Sequence, residues 1–377
     1  LKIETLHIVS LDVPFPPDYG GVIDIYFRAK ALKSLGVRII LHCFEYGRGT
    51  NHDYSEVADE VHFYTRKRSL LSNFRKDPFI VASRKSEELV SRLLLDDFPI
   101  LLEGHHCAGL LNDERLANRL KFVRVHNIEW MYYDALSHAS KSTWKKTFFK
   151  GESKKLRKFE AILRKADALF CLSDTELEYY REINPNNYLW PVGCQFEKSE
   201  KTESQHFALF HGNLSVAENE KALRWIVETW TRYNIDLPLV VAGKKPGTSL
   251  RSFLQRHRFI TLKENPSQTE MNQLLGAAAM NLLITFQSTG VKLKLVNSLL
   301  RGNRCIVNPL MVEGTDLGQF CEIVDDEQEL QKALLRQHGV TRQQKAERFS
   351  YLEAHFDPLE NAKKVLEIME RTGIQKI

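Results

Sequence analysis

The residues best placed to do chemistry sit in one window, Thr285–Asn308. An apolar run ends there near Phe286, Ser288-Thr289-Gly290 makes a short polar turn, and helix-period residues begin at about Val291. A strand that feeds a helix through such a turn aims free backbone N–H groups and the positive end of the helix dipole at whatever binds there, which suits a phosphate. Lys292 and Lys294 add positive charge on different sides of that helix, so only one of them is expected to reach a ligand. The same letters also describe a solvated helix start with two surface lysines.

Two further strand ends carry titratable groups. His126 closes Phe122–His126, and Glu103-Gly104-His105-His106 closes Pro99–Glu103. A histidine in that place is either a satisfied structural residue or a hydrogen-bonding group at a ligand. No third ligand stands at metal spacing, so the Glu103–His106 run reads as site lining and not as a zinc centre. Gly20-Gly21 follows the first strand at a helix start, as a plain turn or as a loop over a ligand. No Gly-x-Gly-x-x-Gly follows any strand, which excludes a nicotinamide dehydrogenase of the usual kind.

The elements that position these groups alternate regularly. Apolar runs at Leu6–Leu11, Val37–Phe44, Val61–Tyr64, Pro99–Glu103, Phe122–His126, Ala168–Ser173 and Tyr188–Val192 are separated by amphipathic segments. After a hydrophilic break at Glu197–His206 the pattern restarts with Phe207–His211, Leu237–Ala242, Phe259–Lys263, Met280–Phe286 and Arg304–Asn308. Strands alternating with helices imply parallel sheets covered on both faces, hence two doubly wound α/β domains, with ligands expected in a crevice at the strands' carboxyl ends. Ser267-Gln-Thr-Glu270 is a capping box opening a helix through Ala279. Asp357-Pro358-Leu-Glu360 opens a last helix whose Leu359, Ala362, Leu366 and Met369 form one apolar stripe.

Composition narrows the function classes. The 377 residues suit two domains, with 43% hydrophobic and 27% charged residues around ordinary cores. A net charge of +5 is too mild to argue for nucleic acid. The longest apolar stretches stop short of the ~18 residues a membrane span needs, and the first residues read as a strand, not a signal peptide. Six cysteines without a CxxC pair read as buried, reduced side chains. The expectation is a cytoplasmic, enzyme-sized protein. Two basic stretches, Arg66–Lys76 with Leu70, Leu71 and Phe74, and Lys141–Lys165 with Trp144, Phe148 and Phe149, have the composition of a surface that meets anionic lipid, or of a solvated helix face. The first reading would make the protein peripheral at the inner face of a membrane.

Gly290-Val-Lys292-Leu-Lys294-Leu-Val-Asn297-Ser and Gly302-Asn-Arg-Cys-Ile-Val307 resemble the matching segments of the retaining glycosyltransferases of GT-B fold, family 4 (the group 1 type). The resemblance extends to Val125-His126-Asn127-Ile128-Glu129, to Phe159-Glu160-Ala161 with Ala166–Ser173, and to Phe210-His211-Gly212-Asn213-Leu214 with Glu218-Asn219. It implies two Rossmann-like domains: 1–197 for the acceptor, 204–355 for the nucleotide diphosphate sugar, and a helix at 357–372 crossing back to the first. By the same resemblance His126 contacts the donor sugar as the catalytic residue, and Gly20, Gly21, His105 and Glu129 meet the acceptor. Gly212, Asn213, Lys244, Ser288, Thr289, Gly290, Val291, Lys292, Lys294 and Asn297 meet the donor. No metal or further cofactor is implied; the nucleotide sugar is the co-substrate, and the acceptor is a saccharide or lipid-linked saccharide of surface polysaccharide synthesis. The chain departs from the family at the two acids of its Glu-x7-Glu motif, which are Thr289 and Asn297 here. Glu313 is a neighbouring acid that could take the ribose. Asn213–Ala217 lacks the family's phosphate-binding Arg and Lys, for which Lys221, Lys244, Lys245 or Lys292 could substitute. A non-catalytic glycan- or lipid-binding protein and a nucleotide-sugar epimerase of the same architecture are the alternatives.

Overall fold

The computed structural model describes residues 2–18, 20–67, 76–140, 142–194, 196, 203–286, 293–336 and 339–376. It divides into two units, the first taking the chain through residue 194 and again from 355, the second taking the stretch between.

The first unit is built on seven parallel strands: β1 (Thr5–Ser10), β2 (Arg38–Glu45), β3 (Glu60–Thr65), β4 (Ile100–Glu103), β5 (Lys121–Arg124), β6 (Ala168–Cys171) and β7 (Asn187–Leu189). Their order is β3-β2-β1-β4-β5-β6-β7. The chain starts centrally, winds out to β3 and returns to β4 beside β1, which makes the β1/β4 junction a topological switch point. Every residue of β1 is buried, as it must be in a sheet with helices on both faces. Leu6 and Ile8 enter one core with Ala29 and Leu32 of the helix Gly20–Ser34. Val9 enters the other core with Leu102 and Val123.

The last helix, Pro358–Lys376, belongs to this first unit and packs on the helix Gly20–Ser34 through Ala362, Val365 and Met369. Asp357 Oδ1 accepts the N–H groups of Leu359 and Glu360, as the sequence motif predicts. The expected stripe is corrected at one end: Leu359 is 38% exposed. The first turn is spent on capping, and its only buried side chain is Asn361, whose amide donates to His355 O.

The second unit has six parallel strands, β8 (Gln205–Asn213), β9 (Leu239–Lys244), β10 (Ile260–Glu264), β11 (Ala278–Leu283), β12 (Arg304–Val307) and β13 (Glu322–Ile323), in the order β10-β9-β8-β11-β12-β13. The switch point recurs between β8 and β11. Gln205 and His206, expected in the hydrophilic break, already pair within β8. The helix from the Ser267–Glu270 capping box ends at Ala277, two residues before the expected Ala279, because β11 begins at Ala278. A Cβ at Gly243 would come 2.1 Å from Gly212 O, so β9 can pass β8 at this point only with glycine. All six cysteines are free thiols, five of them buried.

Candidate active site

The carboxyl ends of β4 and β5 in the first unit carry a buried charge network. Glu103 ends β4, and Arg124 ends β5 two residues before His126. Asp24 and Arg28 come from one face of the helix Gly20–Ser34, spaced i,i+4. Glu103 Oε2 accepts from Arg28 Nη2 at 2.7 Å and from His126 Nε2 at 2.9 Å. Asp24 pairs with Arg28 Nε at 3.1 Å and Arg124 Nη2 at 3.2 Å, and accepts the Gly193 N–H at 2.7 Å. His126 Nδ1 lies 4.0 Å from Asp24 Oδ2, so both ring nitrogens face carboxylates. The Trp190 ring packs against both guanidinium groups, at 4.8 Å from Arg28 and 5.5 Å from Arg124.

Two guanidinium groups against two carboxylates balance the charge in a place water does not reach. Burial alone would raise the pKa of Asp24, but Arg124 and then Arg28 hold it below the ordinary carboxylate value. Glu103 is likewise lowered against burial, by Arg28 and His126. Several buried polar atoms of the cluster make no hydrogen bond among the described residues: Glu103 Oε1, Arg28 Nη1, Trp190 Nε1, and the Nδ1 atoms of His105 and His106. Such atoms are where bound water or ligand hydroxyls gain most.

The other predicted residues of this unit lie close by. Gly104 has φ +68°, and a Cβ there would meet His106 Nδ1 at 3.0 Å and His126 Cδ2 at 3.2 Å, so strand end, short helix and His126 close around it. His105 is buried against Tyr180, and burial lowers its pKa to about 4, which keeps it neutral. Glu129 is buried in the first turn of the helix Glu129–Ala139, and burial raises its pKa to about 7. Gly20 and Gly21 open the helix that supplies Asp24 and Arg28. Glu103 was read from sequence as site lining, whereas Asp24, Arg28 and Arg124 were not singled out as site residues. The available signal was charge inside otherwise apolar periods, as in Phe122-Val-Arg-Val125.

In the second unit the structure gathers Gly212, Asn213 and Lys294 around Asn219. Asn219 stands in the first turn of the helix Ala217–Arg232, and its amide donates to Asn213 O at 3.0 Å. A Cβ on Gly212 would meet that amide nitrogen at 3.2 Å. Lys294 Nζ reaches Asn219 Oδ1 at 3.4 Å. Lys244 ends β9 directly opposite Asn213 in register. His211 Nε2 shares a 3.0 Å hydrogen bond with Ser298 Oγ, and burial, then Lys294, lowers its pKa to about 3. Asn297 sits three residues after Lys294 on the less buried face of the helix Leu293–Arg301, and its Oδ1 accepts from Arg301 Nη1 at 3.4 Å. Glu313 is exposed just beyond β12. The Thr285 hydroxyl donates to Glu218, fixing the end of β11 to the same helix start. Ser288, Thr289, Gly290, Val291 and Lys292 lie outside the described residues. Gly212, Asn213, Asn219 and Lys294 thus lie together at the carboxyl ends of the second sheet's central strands.

No protein-family model matches the chain. A Klebsiella pneumoniae protein described as an uncharacterized 44.6 kDa protein in the cps region is 25% identical over 345 residues, covering 85% of this chain and 87% of its own. Among solved structures, HepE of Anabaena in complex with UDP and glucose superposes with a TM-score of 0.67 at 11% identity, over 98% of this chain and 100% of that one. TarM gives 0.68 at 9% identity, over 98% and 99%. The pneumococcal O-GlcNAc transferase GtfA, in complex with UDP and GlcNAc, gives 0.63 at 12% identity, over 98% and 99%. These likenesses and the two parallel sheets give the chain the GT-B fold.

Proposed function

We propose that the protein is a glycosyltransferase that moves a hexose from a nucleotide diphosphate sugar to a saccharide or lipid-linked saccharide. The observation that carries this reading is the gathering of Gly212, Asn213, Asn219 and Lys294 at the carboxyl ends of the second sheet. In the transfer, the acceptor oxygen bonds to the anomeric carbon, the bond from that carbon to the diphosphate breaks, and the acceptor proton leaves for the departing phosphate. Negative charge then grows on the diphosphate, where Lys294, the Asn219 amide and helix-start N–H groups can stabilise it without a metal. Structural neighbours solved with UDP favour uridine as the nucleotide, and retention of anomeric configuration is the outcome we assign by resemblance. The relative from a cps region supports a role in surface polysaccharide synthesis.

The test is calorimetric titration of the full chain with UDP, followed by product analysis with UDP-sugars. Binding that Lys294→Ala weakens about tenfold, the loss of one charge-assisted contact of ~1.4 kcal/mol, supports the reading. A chain that binds no nucleotide overturns it. Donor turnover without acceptor would point to the epimerase instead.

The helix Thr143–Phe159 supports a lipid-linked acceptor. Trp144 is 67% exposed and stacks on Phe148 at 5.9 Å, beside Lys145, Lys146 and Lys150. The acids of the stretch do not offset these charges at the surface: Glu152 is buried with Phe79 N–H and Lys155, and Glu160 is buried with Tyr179. An aromatic wedge ringed by lysines fits an anionic bilayer. No described helix is long and apolar enough to cross a membrane. Sedimentation with vesicles containing anionic lipid, lost in Trp144→Ala, tests the surface.

A further inference from the structure

We propose that the second unit carries a pocket for an uncharged saccharide, separate from the Gly212–Asn219–Lys294 cluster, with Trp225 as its stacking wall and Asp325 as its hydroxyl acceptor. The pocket goes beyond the transferase reading and stands whether or not the chain binds a nucleotide.

A cavity of about 430 Å³ lies at the carboxyl ends of β11, β12 and β13, within the ~300–1,000 Å³ range of small-ligand sites. Ile284 and Val324, which follow β11 and β13, supply its apolar lining at the edge of the core beneath the helices Ala217–Arg232 and Glu327–Leu335. Asn308 follows β12 and brackets Thr285: its Oδ1 accepts the Thr285 N–H at 3.0 Å, and its Nδ2 donates to Thr285 O at 2.6 Å. The strand ends are thereby locked together, so the cavity is preformed. Phe286 is 38% exposed, and the half-buried Trp225 meets it edge-to-face at 6.4 Å. Lys221 Nζ lies over the Phe286 ring at 4.5 Å, which leaves stacking to the indole. Trp225 comes six residues after Asn219, about 120° round the helix axis, so pocket and cluster lie on different sides of that helix.

Three acids line the mouth, and two of them are committed. Asp326 Oδ1 caps the helix Glu327–Leu335 by accepting the Glu329 N–H at 2.8 Å, and Glu327 pairs with Arg232. Among the described residues no cation pairs with the Asp325 carboxylate, and neither the Gln328 amide nor Trp225 Nε1 makes a hydrogen bond. A pyranose has an apolar C–H face and an equator of hydroxyls, and this lining matches both. Its C–H groups gain from the electron-rich face of the indole. A carboxylate accepts from two neighbouring hydroxyls in charge-assisted bonds, while the amide and the indole N–H supply donors. A ligand bearing a carboxylate or phosphate would meet the Asp325 charge instead, so the rim favours uncharged sugars.

The experiment is saturation-transfer NMR of the full chain with glucose, galactose and N-acetylglucosamine, set against glucuronate, galacturonate and adenosine, with UDP titrated separately by calorimetry. At least one uncharged sugar is expected to bind fivefold or more tighter than either uronate. Trp225→Leu and Asp325→Ala should each weaken that sugar at least fivefold and leave UDP affinity unchanged. Trp225→Leu also trims the edge of the core, so if it fails to fold, Asp325→Ala at an exposed side chain alone decides. Absence of binding by all three sugars overturns the proposal, as does binding that survives Asp325→Ala. Adenosine binding with no sugar bound would make this a nucleoside pocket and overturns it as well. If UDP does not bind while the Asp325-dependent sugar binding stands, the transferase reading falls and the saccharide pocket remains.

Discussion

Glu103 Oε2 accepts from His126 Nε2 at 2.9 Å, and the same oxygen accepts from Arg28 Nη2 at 2.7 Å. An ionised carboxylate can only accept, so Nε2 carries a proton in this contact. The other ring nitrogen, Nδ1, lies 4.0 Å from Asp24 Oδ2. Removing the carboxylate would leave Arg28 to share Asp24 with Arg124 and would free the ring. Glu103→Gln is therefore expected to destabilise the chain by about 3 kcal/mol, the order seen when one partner of a buried ion pair is lost. Urea unfolding of the two proteins measures this, and a change below about 1 kcal/mol would show that the pair is not held as described.

His126→Ala should keep the fold and UDP affinity but lower turnover at least tenfold, about 1.4 kcal/mol of transition-state stabilisation. Unchanged turnover would make the imidazole a structural filler between Glu103 and Asp24. Steady-state kinetics with a matched UDP titration separates the two outcomes.

Asn297 stands where the resembling family has the ribose-binding acid. A carboxylate there would accept from both ribose hydroxyls, worth about 1 kcal/mol over the amide, or fivefold in dissociation constant. The structure adds a competitor, because Arg301 is already in reach of residue 297. Asn297→Glu should accordingly improve UDP binding by less than fivefold, and Asn297→Glu with Arg301→Gln by more. If both variants bind UDP no better than the parent, position 297 does not meet the ribose.

Acid should weaken the protein below pH 6.5. A chain of hydrogen bonds crosses three strands: Tyr64 Oη to His42 Nδ1 at 2.9 Å, His42 Nε2 to His7 Nδ1 at 2.9 Å, and His7 Nε2 to Asp96 at 3.0 Å. With Asp96 accepting, each imidazole donates from Nε2, and Tyr64 donates to His42. Burial, then His7, lowers the His42 pKa to about 2. The native state therefore keeps this ring neutral while the unfolded chain binds a proton below ~6.5, so stability is full above that pH and falls as pH decreases. Between pH 7 and 5.5 His42 alone should account for about 1 kcal/mol of loss. His42→Gln should remove that share from the pH dependence of the urea midpoint, and an unaltered dependence would refute the assignment.

Twelve of the thirteen described strands coincide with an apolar run read from the sequence, most plainly where burial on both faces makes the strand apolar throughout, as in β1, β4 and β6, and less so at the sheet edges β7 and β10. β13 has two residues, too few to carry a pattern, and is defined only by pairing with β12. The Gly212–Asn213 loop and Lys294 could be named from sequence. Their meeting through Asn219 could not, since 75 residues separate Lys294 from that amide. The Arg28–Glu103 pair was hidden for the same reason: Arg28 and Lys33 look alike in a helix, and only the fold buries one and exposes the other's charge. Arg84 shows the limit most plainly, because a guanidinium clamped by two carbonyls has no signature in the letters around it.

The helix Pro358–Lys376 returns to the unit in which the chain begins, and Lys376 reaches Asp167 and Arg119 O there. The second unit is thus an insertion, with both of its chain ends tethered to the first. Cutting the backbone once, at an engineered protease site between residues 197 and 202, would not yield two free domains. The carboxyl-terminal fragment would stay attached through Ala362, Val365 and Met369, seated among the side chains of Ala29 and Leu32. Nicked protein should migrate as one species on a sizing column and part into two pieces only in denaturant, so its halves could be expressed as separate genes and reassembled.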